Sequence, residues 1–219
     1  MSFSIERIIE DTFSTQDNKV KKLLSEYLNL LFKWHDVKNI VSSSDIEYVI
    51  KREIYDSFQL NKYLNGNSFS DIGSGGGIPG IIISILNPDK KVLLIDRKST
   101  FIDFLTLAKA ELNLKNVEVI NRDVIRSQMR FSTESVLLKN FSNKLISKMN
   151  FEKKFMYLME LIKNSDQVSK AYMLTGSPVL ELSEECLKEY NVNTHVILSP
   201  FFDTSRVVAE VKFENTINS

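Results

Sequence analysis

The sequence predicts an α/β fold: a mostly parallel sheet covered on both faces by helices, with an antiparallel hairpin at one edge and an N-terminal helical cap. Three observations predict it. Short apolar runs alternate with helical patterns from about residue 67 onward, as expected of β-α-β units. Lys91 to Asp96 (KVLLID) is almost continuously apolar, as a strand buried on both faces should be. Two strand-like segments close the chain with only a short loop between them, which implies antiparallel pairing.

Taken in order, residues 19–34 carry Val20, Leu23, Leu24, Tyr27, Leu28, Leu31 and Trp34 at three- and four-residue spacing, an amphipathic helix. Ser44-x-x-Glu47 fits a capping box, starting a second helix whose stripe is Ile46, Ile50, Ile54 and Phe58. These two helices make a cap over residues 1–62, and residues 63–219 form the core as one compact unit. In the core, Phe69 to Ile72 is a strand ending in glycines, and Pro79 suits the first turn of the helix that follows. After the strand ending at Asp96, Ser99 caps a helix bearing Phe101, Phe104, Leu105, Ala108 and Leu112. Val117 to Asn121 is a third strand, Ser135 to Asn140 a fourth and Ala171 to Thr175 a fifth, with a helix around 150–164 between the last two. Val192 to Ser199 and Arg206 to Phe213 form the closing pair.

Composition narrows the function classes. The chain has 219 residues, enough for one α/β domain and a short extra element. Lys plus Arg equals Asp plus Glu at 28 each, so binding to nucleic acid would depend on a local patch rather than on net charge. No apolar run approaches the length of a membrane span. The first residues lack a basic start followed by an apolar core, which predicts a cytoplasmic protein. A single cysteine, Cys186, excludes an intramolecular disulfide, and nothing near it suggests a reactive thiol. His35 and His195 lack metal-ligand spacing, so no metal site is expected.

The sharpest signal is Asp71-Ile-Gly73-Ser-Gly75-Gly-Gly77-Ile-Pro79-Gly80, lying between a strand and a helix. Glycines there allow a tight turn and close approach of a ligand to the backbone. A P-loop would need Lys followed by Ser or Thr after the last glycine, and Pro79, Gly80 and Ile81 stand nearby instead. A dinucleotide spacing fails from Gly73 but is met by Gly75, Gly77 and Gly80. Asp71 argues against that reading, because a carboxylate at the turn repels a pyrophosphate and favours a cationic sulfonium with its ammonium group. Asp96, ending the next strand, can accept hydrogen bonds from both hydroxyls of a ribose. NAD proteins use an acid there too, so Asp96 alone does not discriminate. Asp123, just after the third strand, is a candidate to contact an adenine amino group or to flank it. The pattern predicts S-adenosylmethionine as cofactor, with Asp71, Gly73, Ser74, Gly75, Gly77, Asp96 and Asp123 as candidate contacts, in a Rossmann-like class I methyltransferase fold.

The motif DIGSGGGIPG, the stretch VLLIDRKSTFIDFLTLAKAELNLKNVEVINRDV, and upstream KWHDVKNIV and REIYDSF resemble the RsmG (GidB) family of small-subunit ribosomal RNA methyltransferases. The likeness covers roughly residues 20–125 and is weaker beyond. It implies cofactor contacts from Gly73, Ile78 and the backbone of Asp123 and Val124, and methyl transfer to N7 of a guanine in 16S rRNA near the decoding region. Three positions depart from the family pattern. Lys139 stands where the family has the Arg of Ser-Arg-Ala, keeping the charge without the planar fork. Leu174-Thr175-Gly176 replaces Leu-Lys-Gly, and Glu53 replaces the His of Arg-His.

Guanine N7 carries a free lone pair, so no catalytic base is required and positioning is the enzyme's main task. Lys139 is the candidate for orienting the guanine or its phosphate, and it is counted with the cofactor contacts. Candidate RNA contacts are Lys139, Lys144, Lys148, Lys153 and Lys154, then Lys51 and Arg52 on the cap, and Arg97 and Lys98 by the crevice. The expected partner is 16S rRNA presented in a small ribosomal subunit or an assembly intermediate, acted on by a monomer. Two other classes remain: a methyltransferase for another RNA or a small molecule, and a non-catalytic binder of the same cofactor.

Overall fold

The computed structural model describes residues 4–141 and 143–213. A seven-stranded sheet runs in the order β3-β2-β1-β4-β5-β7-β6. The strands are β1 (Ser68–Ile72), β2 (Lys91–Asp96), β3 (Val117–Asn121), β4 (Ser135–Lys139), β5 (Lys170–Thr175), β6 (Val192–Ile197) and β7 (Arg206–Lys212). The first five are parallel to one another. β7 inserts antiparallel between β5 and β6, which makes the expected hairpin and leaves β6 at the edge. The strand order reverses between β1 and β4, and that switch point is where an open α/β sheet leaves a crevice.

On one face lie α5 (Gly80–Leu86) and α6 (Ser99–Glu111), and on the other α7 (Phe151–Lys163) and the short α8 (Glu184–Glu189). The cap joins the first face. Leu24, Tyr27, Leu28 and Leu31 of the cap share a single apolar cluster with Ile81, Leu94 and Phe104. Burial of that surface, at roughly 25 cal/mol per Å², binds cap and sheet together.

The cap holds one more helix than the sequence pattern indicated. α1 (Ile5–Thr12) precedes α2 (Asn18–Lys38), its start capped by the Ser4 hydroxyl and its inner face made of Ile5, Ile8 and Ile9. Eight residues are too few for the apolar spacing to stand out. The second predicted helix is real, but Asp45 caps it rather than Ser44, accepting the Tyr48 N–H at 3.0 Å. Ser44 instead pairs its hydroxyl with His35 Nε2. This helix runs through α3 (Ile46–Tyr48), a π-helical stretch Val49–Ile54 and α4 (Tyr55–Asn61). The wider π turn puts Arg52, Glu53 and Ile54 in consecutive buried positions, which a regular helical stripe does not do. Ser99 is the first residue of α6 and caps nothing, because Lys98 holds the cap position. Cys186 is buried on α8, and its thiol is pushed up by burial, which suits an inert side chain.

Candidate active site

The glycine turn hangs on the neighbouring strand. The amides of Gly73 and Ser74 both donate to the Ile95 carbonyl, at 2.8 and 3.1 Å. The Ser74 hydroxyl donates to the Asp71 carbonyl at 2.8 Å and accepts the Ile95 N–H at 2.9 Å. Ser74 therefore stitches β1 to β2 and is buried. At Gly73, φ is +73° and Phe141 occupies the space a Cβ would need, so a side chain there is excluded twice over. From behind, the cap braces the turn: Tyr27 donates its hydroxyl to the Gly76 carbonyl at 2.5 Å.

The three carboxylates differ in their surroundings. Asp71 lies beneath the turn, 1% exposed, with Oδ2 accepting the Gly80 N–H at 3.0 Å. Burial raises its pKa to about 7, against the lowering effects of the Gly80 amide and the Lys139 charge. Asp96 is aimed by two backbone donors, Gly75 N–H on Oδ2 at 3.0 Å and Lys98 N–H on Oδ1 at 2.9 Å, with further lone pairs available on each oxygen. Asp123 caps the turn that follows it, accepting the Arg126 N–H at 3.2 Å, and also accepts from Asn143 Nδ2 at 3.3 Å.

A crevice of about 260 Å³ opens beside these groups. Of the predicted site residues, Gly73, Gly75, Asp96, Asp123 and Val124 line it. Asp71, Ser74, Gly77, Ile78 and Lys139 do not: the first four support the turn or pack beneath it, and Lys139 points elsewhere. Phe101, Phe141 and Asn143 also line the crevice and were missed by sequence reasoning. Phe141 follows the tip of β4, so its distance from a strand end was a usable signal. Asn143, four residues past the end of β4, carried no comparable signal; it lines the crevice and also holds Asp123.

These surroundings fit an adenosyl group. Positive-φ glycines give a bare floor, Asp96 offers a fixed acceptor for a diol, and Ile95, Phe101 and Val124 give an apolar wall for a flat ring.

At the tip of β4, Lys139 forms an ion pair with Glu53 of the π-helical stretch, both side chains about nine-tenths buried. Two of the three departures from the family pattern thus meet each other. Beside them Arg52 donates Nη1 to the Thr204 carbonyl at 2.7 Å and Nη2 to the Thr204 hydroxyl at 3.0 Å. Arg52 is 2% exposed, so it is a brace and not the RNA contact its charge suggested. Arg206 Nε lies 3.4 Å from Asp56 Oδ2, while Asp56 Oδ1 has no hydrogen-bond partner. Burial lifts the Asp56 pKa to about 6. Lys51 sits over the Phe201 ring, whereas Lys144, Lys148 and Lys153 are exposed.

Comparison with known proteins places this geometry. A family model described as rRNA small subunit methyltransferase G (GidB) matches residues 20–172. The ribosomal RNA small subunit methyltransferase G of Psychromonas ingrahamii is 33% identical over 140 residues, 64% of this chain and 68% of the relative. Its counterpart in Hydrogenovibrio crunogenus is 42% identical over 108 residues, 49% of this chain and 50% of the relative. The chain thus spans between half and about two thirds of the length of these relatives. Among solved structures, precorrin-6y C5,15-methyltransferase from Geobacter metallireducens aligns with a TM-score of 0.52 at 10% identity, covering 81% of this chain and 93% of that one. TrmK of M. capricolum, in complex with S-adenosyl-homocysteine, aligns with a TM-score of 0.52 at 11% identity, covering 72% and 67%. At such identities the structural likeness shows the fold alone, a class I methyltransferase fold. With a matching family model over most of its length and that fold, the chain belongs to the rRNA small subunit methyltransferase G family.

Proposed function

We propose that this chain transfers a methyl group from S-adenosylmethionine to N7 of a guanine in 16S ribosomal RNA. One observation carries the reading: the crevice at the sheet switch point joins a bare glycine floor to a carboxylate, Asp96, held in a fixed direction by two backbone amides. The relatives' names supply the acceptor class, and small-subunit rRNA within a ribosomal particle is the natural form of it. When bound, the cofactor supplies a methyl group already activated by a sulfonium.

The chain's own residues then have three tasks. Asp96 accepts hydrogen bonds from a ribose and so fixes the position of the cofactor. Gly73, with no side chain and φ +73°, lets the turn bend at the tip of β1 and lets Phe141 pack against it at the edge of the crevice. Asp71, beneath the turn, supplies a negative field without direct contact. No residue needs to remove a proton, because N7 attacks through its lone pair. Holding N7 in line with the methyl group can account for roughly 7–11 kcal/mol of the barrier.

Titration calorimetry with S-adenosylmethionine tests the cofactor half of the reading. Asp96→Ala should weaken binding about 10- to 100-fold, the worth of hydrogen bonds to a charged acceptor. An unchanged dissociation constant would remove Asp96 from the site. Incubation of small ribosomal subunits with methyl-labelled cofactor tests the acceptor half: label should enter 16S rRNA and depend on the enzyme.

A further inference from the structure

A second cavity of about 220 Å³ adjoins the cofactor crevice at the tips of β4 and β5. Asn140 and Phe141 line both spaces, so an acceptor seated in the second lies beside the group bound in the first. The walls of the second cavity are mostly apolar and aromatic, with Leu138, Phe141 and Phe151 among them, and its polar residues are few: Asn140, Lys154 and Thr175. This composition suits a flat, heteroaromatic ring with one polar edge.

We propose that this cavity is the seat of the target guanine, extruded from the RNA, with Phe141 and Phe151 offering ring faces and Lys154 donating to O6. The proposal rests on the rRNA-methyltransferase reading above. Guanine presents O6 and N7 side by side as acceptors on one edge, so a donor on O6 leaves the neighbouring N7 lone pair facing the crevice. Adenine carries an amino group in place of O6 and would set donor against donor, which makes Lys154 a selector of guanine as well as an anchor. Lys154 is already partly desolvated, which lowers its pKa and strengthens its interactions with an acceptor. Taking a base out of its stack is the general route by which enzymes reach an atom on it. Asn140, with φ +51°, turns the chain sharply between the two spaces and sets Phe141 between them.

The test uses the full chain, small ribosomal subunits lacking the methyl group, and labelled S-adenosylmethionine. Phe151→Ala should lower kcat/KM for the subunit about 5- to 100-fold, the usual worth of a base–aromatic stack. Lys154→Met should lower it about tenfold, and Lys154→Arg should restore part of the loss. In all three variants the fall should lie mostly in kcat, because contacts elsewhere on the particle carry binding, and the calorimetric affinity for S-adenosylmethionine should stay within twofold of the unaltered chain. That unchanged affinity also reports intact folding. Phe151→Leu serves if Phe151→Ala fails to fold, with a smaller loss expected. If the variants methylate the subunit at the rate of the unaltered chain, the cavity is not the base seat and the proposed function stands. If the unaltered chain binds the cofactor but transfers no methyl group to rRNA, both readings fall together.

Discussion

At the tips of β1 and β2 the binding surface is made mostly of backbone. The amides of Gly73, Ser74, Gly75 and Lys98 hold the turn and aim Asp96, and all of them lie within 26 residues of one another in the chain. At the tips of β4 and β5 the surface is made of side chains drawn from far apart. Glu53 reaches Lys139, Arg52 reaches Thr204, and Arg206 reaches Asp56. Local backbone geometry tolerates no substitution but needs few partners, whereas long side chains can be exchanged together if their charges still balance. Glu53 and Lys139, which both depart from the family pattern, show this: the two changes meet in one ion pair.

The largest effect should come from adding a single methyl group to the backbone-built half. In Gly80→Ala the new Cβ would collide with the Leu94 side chain and would lie 2.5 Å from Asp71 Oδ2, with Asp71 Cβ at 3.0 Å. Neither neighbour is a free side-chain end, since both belong to buried strands. The expected loss is about 3 kcal/mol or more of stability by urea denaturation, with cofactor binding abolished. A normal denaturation midpoint would mean that the turn is softer than its hydrogen bonds imply.

The side-chain half should break differently. Glu53→Ala leaves Lys139 buried without its partner, at an expected cost of roughly 3–5 kcal/mol. Glu53→Ala combined with Lys139→Met should cost less than the single change, because no charge is stranded. The affinity for S-adenosylmethionine should be nearly unchanged in Glu53→Ala, since Glu53 does not line the crevice, whereas the double change removes a positive charge that favours the Asp71 carboxylate and should weaken binding modestly near neutral pH. A double-mutant cycle read by urea denaturation measures the coupling. Additive losses would show that the two residues act independently.

The same contrast decides what was legible in the sequence. The strand from Lys91 to Asp96, the glycine turn and the antiparallel closing pair were readable because each is written in adjacent residues with a fixed period. Gly73, Gly75, Asp96 and Asp123, picked out for their places at strand ends, lie together along one crevice, and Val124, which the family resemblance implied, lies there with them. The roles of Arg52 and Lys139 were not readable. Their charges suggested RNA contacts, and only the π-helical stretch and the β6–β7 loop, brought together by folding, show that both are held by neighbours. Helix α1 was too short to register, and the shift of the cap from Ser44 to Asp45 turns on His35, nine positions before Ser44, taking the serine hydroxyl. Phe141, two residues past the tip of β4, could have been picked out by that distance, whereas Asn143 lies beyond the strand end where spacing in the chain carries little information.

Asp71 offers the mildest probe, because it belongs to the backbone-built half yet acts through its charge. Its pKa is raised from 3.8 to about 7, first by burial. A carboxyl group raised in this way binds protons more readily in the folded than in the unfolded chain, so its contribution to stability declines as pH rises from about 4 to 7. For the bound cofactor the sign reverses. A cation near the turn favours the ionised carboxylate, so affinity for S-adenosylmethionine should rise between pH 6 and 7.5 by several-fold, with about tenfold as the ceiling for one proton per site. Asp56, whose pKa is about 6, titrates in the same window but does not line the crevice, and Asp71→Asn separates the two. Asparagine can still accept the Gly80 N–H, so the turn is kept while the charge is lost. Its affinity should be weaker at pH 7.5 and flat with pH. Parallel profiles for the unaltered chain and Asp71→Asn would show that the ligand does not sense this carboxylate, and that Asp71 serves only to anchor Gly80.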